Sequence, residues 1–88
     1  MDFEWDDRKN EANFKKHGVW FEEASTVITH PLSRDFVDPD NADRTISIGY
    51  SHKMRLLFVV YIEKTTAYRI ISARPATSNE RKDYEEGI

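Results

Sequence analysis

The segment that most constrains the fold runs from Leu56 to Ile62, where every residue is apolar or aromatic. Successive side chains of a β-strand point to opposite faces, so a strand of this composition has two faces that must be covered. The segment is far shorter than the ~18 apolar residues that indicate a membrane span. We therefore expect a central strand of a sheet in a protein that is not inserted in a membrane.

The N-terminal third favours two short helices. Asp6 or Asp7 can cap a first helix that runs to about His17, and Gly18 is placed to end it in the left-handed conformation. Apolar residues at a spacing of three and four predict a second helix from Phe21 to about Ile28. The first helix is unusually polar, so its packing must either be limited or involve asparagines and the stems of lysines.

Strands dominate after residue 44, because the hydrophobic period changes to two. The sequence from Thr77 to Glu80 is a capping box that begins a last helix, through about Glu86. The fold class is therefore α+β, an antiparallel meander with two N-terminal helices and one C-terminal helix, in one domain spanning residues 1–88. We expect the helices to cover one face. The predicted strands are a half-buried one at 44–50, those at 55–63 and 67–73, a short piece at 34–37, and a strand-like opening at Phe3 and Trp5.

The amino-acid composition excludes several kinds of functional site. The chain has no cysteine, three widely spaced histidines and three isolated glycines. These exclude disulfides, zinc-ligand spacings and glycine-rich phosphate loops. The acidic N-terminus lacks the apolar run of a signal peptide. We expect a cytoplasmic protein that uses no metal and no cofactor.

Charge is distributed unevenly along the chain, whose formal net charge is −3. Residues 1–43 carry five Lys and Arg against eleven Asp and Glu, whereas residues 44–82 carry eight against two. The second stretch is basic enough to meet phosphate, although the same charges could form an ordinary solvated surface.

The densest group of candidate functional residues lies near the C-terminus, where Arg69 and Arg74 belong to one predicted strand. Guanidinium groups match phosphate oxygens and keep their charge. Strict alternation places the two arginines on opposite faces, so either the strand bulges or ends before Arg74, or only one arginine reaches the site. The structural alternative pairs Arg69 with a neighbouring acid such as Glu63, and Arg74 with Glu80. The following helix adds Arg81, Lys82 and Tyr84.

Lys9, Asn13 and Lys16 form a stripe on the first helix, with His17 beside it. The stripe could face phosphate, with His17 exchanging protons near neutral pH. Alternatively it is an exposed helix face, on which His17 interacts favourably with the negative end of the helix dipole. The large aromatic residues could stack on bases, but a domain of this size needs them for its core. They are Phe3, Trp5 and Phe21.

Two separated sequence patterns resemble the BrnT toxin family. The opening W-D…K-H-G…F-E-E-A extends from Trp5 to Ala24, and the ending R-I-I-S-A-R…A-T…E-R…Y-E begins at Arg69. Together they cover nearly the whole chain in order. Trp20 departs from the pattern, because the family often has a small hydroxyl residue that caps the second helix there.

The resemblance implies a RelE-like fold and a ribonuclease toxin of a type II toxin–antitoxin pair that cleaves cellular RNA and arrests growth. It also implies a ribbon-helix-helix antitoxin of the BrnA kind and repression of the operon by the complex, which alone would contact DNA. We expect Arg69 and Arg74 to stabilise the phosphate, with Tyr84 or His17 transferring protons. Glu63 and Glu80 are further candidates for the base. The expected RNA contacts are Lys9, Lys16, Arg55, Arg81 and Lys82. The alternative is a non-catalytic binding module or a corepressor.

Overall fold

The computed structural model describes residues 2–87. Five strands form one sheet in the order β1-β5-β4-β3-β2, in which β1 is parallel to β5 and the other neighbours are antiparallel. The elements are β1 (Asp2–Glu4), α1 (Asp7–His17), α2 (Phe21–Ile28), β2 (Arg34–Val37), β3 (Thr45–Tyr50), β4 (Leu56–Glu63), β5 (Ala67–Pro75) and α3 (Ser78–Glu86). The predicted α+β class and the order of the elements are confirmed.

Strand β4 is central, as its composition predicts, and hydrophobic clusters cover both of its faces. Leu57 and Val59 are fully buried in the cluster that includes α2. Leu56 is buried in a second cluster on the other face, against which Tyr84 of α3 packs. The expectation that helices cover only one face was wrong, because α2 and α3 lie on opposite faces. For the same reason β3 is buried on both faces from Ile46 to Gly49 rather than half-buried.

The helix ends follow local chemistry closely. The Asp6 carboxylate caps α1 by accepting hydrogen bonds from the backbone of Arg8 and Lys9. Gly18 ends that helix with a φ of 72°, in the left-handed region that favours glycine. Thr77 and Glu80 form the predicted reciprocal capping box of α3.

Helix α2 begins without a cap from its own N-cap residue. Trp20 occupies that position and its side chain makes no capping hydrogen bond. The Oδ1 atom of Asn10 accepts from the backbone N of Phe21 at 2.7 Å instead. The cap is therefore supplied by α1, which also fixes the two helices relative to each other.

Helix α1 lies along an edge of β5. Strand β1 pairs only with Ala67–Arg69, so the rest of that edge has no strand neighbour. There the Asn13 carboxamide donates to the Ala73 carbonyl at 2.8 Å and accepts from the Ala73 N–H at 3.1 Å. Asn13 thus satisfies backbone groups that a neighbouring strand would otherwise satisfy. Its predicted place in a phosphate-facing stripe was wrong.

The predicted core role of the aromatic residues is confirmed. Phe21 is fully buried, and Phe3 and Trp5 pack against its cluster. The indole of Trp5 meets the Phe21 ring edge-on, with 6.2 Å between ring centroids. No helix within residues 2–87 combines the length and the apolar character needed to cross a bilayer.

Candidate active site

A β-bulge in β5 places Arg69 and Arg74 on the same face of the sheet. Arg74 is opposite Phe58 of β4 and Arg69 is opposite Ile62, but the register shifts by one residue between these pairs. Ile71 is the extra residue, with no partner on β4. Because the residues between the arginines include this unpaired one, strict alternation is broken. Of the possibilities left open by the sequence, the structure has the bulge before Arg74.

The two arginines are nevertheless engaged by different carboxylates. Their partners on β4, Phe58 and Ile62, are four positions apart, which corresponds to roughly 13 Å along a strand. Arg69 donates to Glu4 of the parallel strand β1 at 3.0 Å, and Lys64 donates to the same carboxylate. Arg69 thus pairs with an acid, as the structural alternative predicts, but that acid is Glu4 of β1 and not Glu63. Hydrogen bonds from Lys64 and then Arg69 hold the pKa of Glu4 below its ordinary value.

Arg74 forms a two-point ion pair with Glu80 at the start of α3, as the structural alternative predicts. Nη1 and Nη2 each donate to a carboxylate oxygen at 2.8 Å, and the guanidinium lies 4.0 Å from the centroid of the Phe58 ring. The hydrogen bonds from Arg74 lower the pKa of Glu80, and the same contact raises the pKa of Arg74. The Arg74 side chain is still 33% exposed, so this pair is accessible from solvent.

Arg74 also retains unused hydrogen-bond donors. A guanidinium has five N–H groups. Two of those in Arg74 bind Glu80 and a third donates to the Pro75 carbonyl at 3.2 Å. Within residues 2–87 no acceptor engages the other two. Arg74 can therefore bind a phosphate oxygen while it remains attached to Glu80.

A cavity of about 290 Å³ opens beside this pair, between the sheet and α3. The Tyr84 ring forms part of its wall, and the Tyr84 hydroxyl donates to the Leu32 carbonyl at 2.9 Å. The guanidinium of Arg34 lies 5.4 Å from the centroid of that ring. The cavity thus combines an apolar floor, a phenol, a guanidinium and carboxylates. Its lining residues are Arg34, Phe36, Ile48, Phe58, Glu80, Asp83 and Tyr84.

Arg34 and Phe36 are site residues that the sequence did not indicate. The pattern identified only a short extended piece there, which the structure confirms as β2. Arg34 lies fifty residues before Tyr84, and only the strand order brings β2 next to β3 and under α3. No local signal in the sequence could have joined them.

Most of the other predicted site residues lie on two different helices, α3 and α1. Arg81 and Lys82 lie on α3, where Arg81 donates to the Tyr50 hydroxyl at 3.4 Å and pairs with Glu85. Lys9, Lys16 and His17 lie on α1 at the sheet edge. Within residues 2–87 no hydrogen bond or ion pair joins His17 to Arg69, Arg74 or Tyr84. The structure therefore brings Arg74, Tyr84 and Arg81 together, with Arg69 on the same face.

Arg55 has a structural partner that the sequence did not reveal. Its Nε donates to Glu23 at 2.9 Å, and one Nη donates to the Gly18 carbonyl at 2.9 Å and to the other oxygen of Glu23. The Glu23 side chain is 2% exposed and also accepts from the Ser51 hydroxyl. Hydrogen bonding to Arg55 lowers the pKa of Glu23, although burial acts in the opposite direction. Arg55 thus joins β4 to the ends of α1 and α2.

Among residues 2–87 no three acidic or histidine side chains are grouped so that they could hold a metal ion. The face of the sheet that α3 covers has instead the guanidinium of Arg74 with its unused donors, the carboxylate of Glu80 bound to it, and the phenol of Tyr84 in the wall of the cavity. These groups are suited to binding a phosphate and to moving protons near it.

Comparison with known proteins identifies the family. Residues 5–80 match the family model described as the ribonuclease toxin, BrnT, of type II toxin–antitoxin systems. The chain is also similar to the crystal structure of the Brucella abortus ribonuclease toxin BrnT, with a TM-score of 0.72 and 27% identity, covering 89% of this chain and 99% of that one. A comparison with curated proteins gives no match. The chain therefore belongs to the BrnT family of ribonuclease toxins of type II toxin–antitoxin systems.

Proposed function

We propose that this chain is a metal-independent endoribonuclease that acts in the cytoplasm and arrests growth. The observation that carries the proposal is the solvent-accessible Arg74 beside the cavity, with two unused N–H donors and the Glu80 carboxylate bound to it. Family membership supplies the substrate class, which is RNA. The geometry supplies the groups that RNA cleavage without a cofactor requires.

The proposed reaction uses the 2′-hydroxyl of the RNA as nucleophile. Its oxygen forms a bond to phosphorus while the bond from phosphorus to the 5′-oxygen breaks. A base takes the proton of the 2′-hydroxyl, and an acid protonates the departing 5′-oxygen. The products are a 2′,3′-cyclic phosphate and a free 5′-hydroxyl, and no oxidation or reduction is involved. The protein must also stabilise negative charge on the phosphorus oxygens, typically the largest contribution to catalysis.

Arg74 is assigned to the phosphorus oxygens and Glu80 to the proton of the 2′-hydroxyl. The low pKa of Glu80 in the free protein makes it a weak base, and the cause is Arg74. The negative charge of a phosphate bound to the unused donors of Arg74 offsets the positive charge beside Glu80 and returns the Glu80 pKa toward its ordinary range. Substrate binding would thereby activate the base. Tyr84, which lines the same cavity, is assigned to the departing oxygen, which would replace the Leu32 carbonyl as the acceptor of its hydroxyl proton.

The remaining basic residues are assigned to RNA binding. Arg69 lies about 13 Å from Arg74 along the strand, so it is assigned to a neighbouring phosphate rather than the scissile one. His17 is assigned to binding the RNA backbone rather than to proton transfer, because within residues 2–87 no hydrogen bond or ion pair joins it to Arg69, Arg74 or Tyr84. Arg55 has its guanidinium engaged by Glu23 and contributes mainly by long-range attraction. The proposed backbone contacts are Lys9, Lys16, His17, Arg69, Arg81 and Lys82.

The test is cleavage of a structured RNA by purified protein in excess EDTA. Arg74→Ala should lower the rate about 10²–10³-fold, the usual effect of removing one transition-state donor. Arg8→Ala, which removes an exposed arginine of α1, should cleave at the wild-type rate. Wild-type products should carry 2′,3′-cyclic phosphate ends. Undiminished cleavage by Arg74→Ala would refute the arginine assignment, and loss of wild-type cleavage in EDTA would refute metal independence.

A ribbon-helix-helix antitoxin is the proposed partner, and the complex is proposed to repress the operon. A partner that covers Arg74 and the cavity beside it would prevent RNA from binding there. Mixing toxin and antitoxin should therefore abolish cleavage, and only the complex should bind operator DNA. Free toxin that binds the operator as tightly as the complex does would contradict this assignment.

One observation favours a second candidate, a non-catalytic corepressor. Both Arg69 and Arg74 are paired with carboxylates, which reduces the positive charge they present to phosphate. Expression without the antitoxin separates the two functions, because a nuclease should arrest growth and a corepressor should be harmless.

A further inference from the structure

We propose that the groove beside Trp20 is a second RNA site, in which an unpaired nucleobase stacks on the indole. The groove lies outside the cavity that contains Tyr84. The proposal rests on the proposed function only in taking RNA as the ligand. It assigns a role to a surface that neither the cleavage chemistry nor the core requires.

The aromatic pair of Trp20 and Phe14 is exposed although its two rings stack against each other. The ring centroids lie 4.2 Å apart with an angle of 10° between the planes. The two residues are 38% and 39% exposed, which is a large fraction for such side chains. Trp20 provides no capping hydrogen bond, because Asn10 caps α2 instead. Its indole therefore has neither a capping role nor a place in the buried core.

The groove next to this pair has the dimensions of a ligand site. Its volume is about 360 Å³, within the ~300–1,000 Å³ of small-molecule sites, and Trp20 forms one wall. Phe14 covers one face of the indole, so the surface that Trp20 presents to the groove is its other face or its edge. Stacking on an aromatic ring holds bases of any sequence, because every base has a π-face. The other lining residues are Glu22, Glu23, His52 and Lys53.

The charge around the groove favours phosphate. The last turn of α1 carries Lys15, Lys16 and His17, and the loop between β3 and β4 contributes His52 and Lys53. A hydrogen bond from Arg55 to the Gly18 carbonyl, at 2.9 Å, holds these two basic segments next to each other.

Both acidic residues of the groove have hydrogen-bond partners, but within residues 2–87 only Glu23 is paired with a cation, so Glu22 keeps its negative charge. Glu23 is bound by Arg55 and Ser51, and Glu22 accepts from the side-chain amide of Asn10 at 2.8 Å. An aromatic platform with surrounding cations is the combination that single-stranded nucleic acid requires. A nucleotide is therefore favoured over an acidic peptide, which would not need the stacked rings.

The position of the groove allows one RNA strand to reach both sites. Arg55 immediately precedes β4, and Phe58, three residues later, is opposite Arg74. Arg55 and Arg74 thus lie toward the same end of the sheet, and Arg55 contacts Gly18 beside the groove. A strand bound at Arg74 can continue around this end to Trp20, so the second site should favour longer substrates.

The experiment measures binding of a fluorescently labelled 2′-O-methyl oligonucleotide by anisotropy, because this RNA analogue lacks the attacking hydroxyl. Trp20→Ala should weaken binding of a decanucleotide about 5- to 50-fold, the usual effect of losing one stacked base. Trp20→Phe should retain most of the affinity. Val37→Ala removes an apolar side chain on β2 that is even more exposed than Trp20, and it should leave the affinity unchanged. In a Trp5→Phe background, RNA should quench the fluorescence of Trp20.

The outcomes separate this proposal from the one on cleavage. Unchanged affinity in Trp20→Ala would overturn the second site, even if cleavage by the wild type is normal. Weaker RNA binding by Trp20→Ala together with no cleavage by the wild type would support the site and refute the nuclease. If Trp20→Ala lost antitoxin binding but kept RNA affinity, the groove would be a protein-docking surface and the proposal would be wrong. Matching thermal unfolding of Trp20→Ala and Trp20→Phe would establish that the affinity change is not caused by misfolding.

Discussion

Buried polar side chains of the two N-terminal helices hold the site's supporting elements together. Asn10 caps α2, Asn13 binds the edge of β5, and Glu23 binds the start of β4 through Arg55. Each of these side chains joins its own helix to a backbone group or a charged side chain of another part of the fold. The polar composition of α1 indicated that asparagines or lysine stems could pack against the fold, but it identified no partner for Asn10, Asn13 or Glu23.

The hydrogen bonds of the Asn13 side chain should contribute measurably to the free energy of unfolding. Asn13→Ala would leave the buried N–H and C=O of Ala73, and the Val19 carbonyl, without this partner. Unsatisfied buried groups cost about 1–3 kcal/mol each before water enters, so we expect a loss of about 2–4 kcal/mol. Urea unfolding measures it. Lys9→Ala, an exposed change on the same helix, should shift stability by less than about 0.5 kcal/mol, and an equal loss in both variants would contradict this account.

Removing Arg55 should leave the buried carboxylate of Glu23 without a positively charged partner. In Arg55→Ala the Glu23 carboxylate, 2% exposed, loses its cation. Breaking a buried pair typically costs about 3–5 kcal/mol, but Arg55 is 41% exposed, so about 2–3 kcal/mol is expected here. Urea unfolding of Arg55→Ala beside Arg8→Ala tests this. Equal midpoints for the two variants would show that solvent already compensates Glu23.

At the scale of elements, the bulge in β5 decides which side chains share a face. Ile71 is unpaired, so Arg69 and Arg74 join Phe58 and Ile62 on the side that α3 covers. Helix α3 is held differently from the other helices, because none of its residues is buried. Its attachments to the rest of the fold include the Arg74–Glu80 pair, the hydrogen bonds made by Tyr84 and Arg81, and the packing of the Tyr84 ring against the second cluster.

Because α3 is attached so lightly, loss of its cap should act locally. Thr77→Ala removes the hydroxyl that accepts from the Glu80 backbone N at 3.2 Å, at a cost of about 1 kcal/mol. Amide hydrogen exchange in α3 should then accelerate about fivefold, whereas the amides of β4 should be unchanged. Ser78→Ala, next to the cap, is the matched control. Equal acceleration in α3 and in β4 would mean that α3 unfolds only with the whole domain.

At the scale of the molecule, three ion pairs hold different elements on the sheet. Glu4 joins β1 to β5 through Arg69, Glu23 joins α2 to β4, and Glu80 joins α3 to β5. The pKa of each carboxylate lies below its ordinary value of 4.5. Stability should therefore depend on pH through contacts spread over the whole fold.

The direction of this pH dependence follows from the difference in proton binding between the folded and the unfolded chain. Below pH 4.5 the unfolded chain protonates these carboxylates before the folded one does, so their contribution is complete above that pH and is lost as pH falls through the lowered values. Urea unfolding from pH 7 to pH 3 should show a decline that begins near pH 4.5. In Glu23→Gln the decline should be shallower. An identical slope in this variant would exclude Glu23 from the acid sensitivity.

The sequence alone determined the features that depend on neighbouring residues. Periodicity and capping chemistry predict α1, α2, α3 and the central strand, and the pairing of Arg74 with Glu80 spans only six residues. Only the tertiary structure decided that Arg69 binds Glu4, that Asn13 is buried, and that Arg34 reaches Tyr84. One inserted residue in a strand reverses the face of the side chains beyond it, and local pattern does not reveal where that happens. Contacts between distant segments depend on strand order, which is decided by burial over the whole chain.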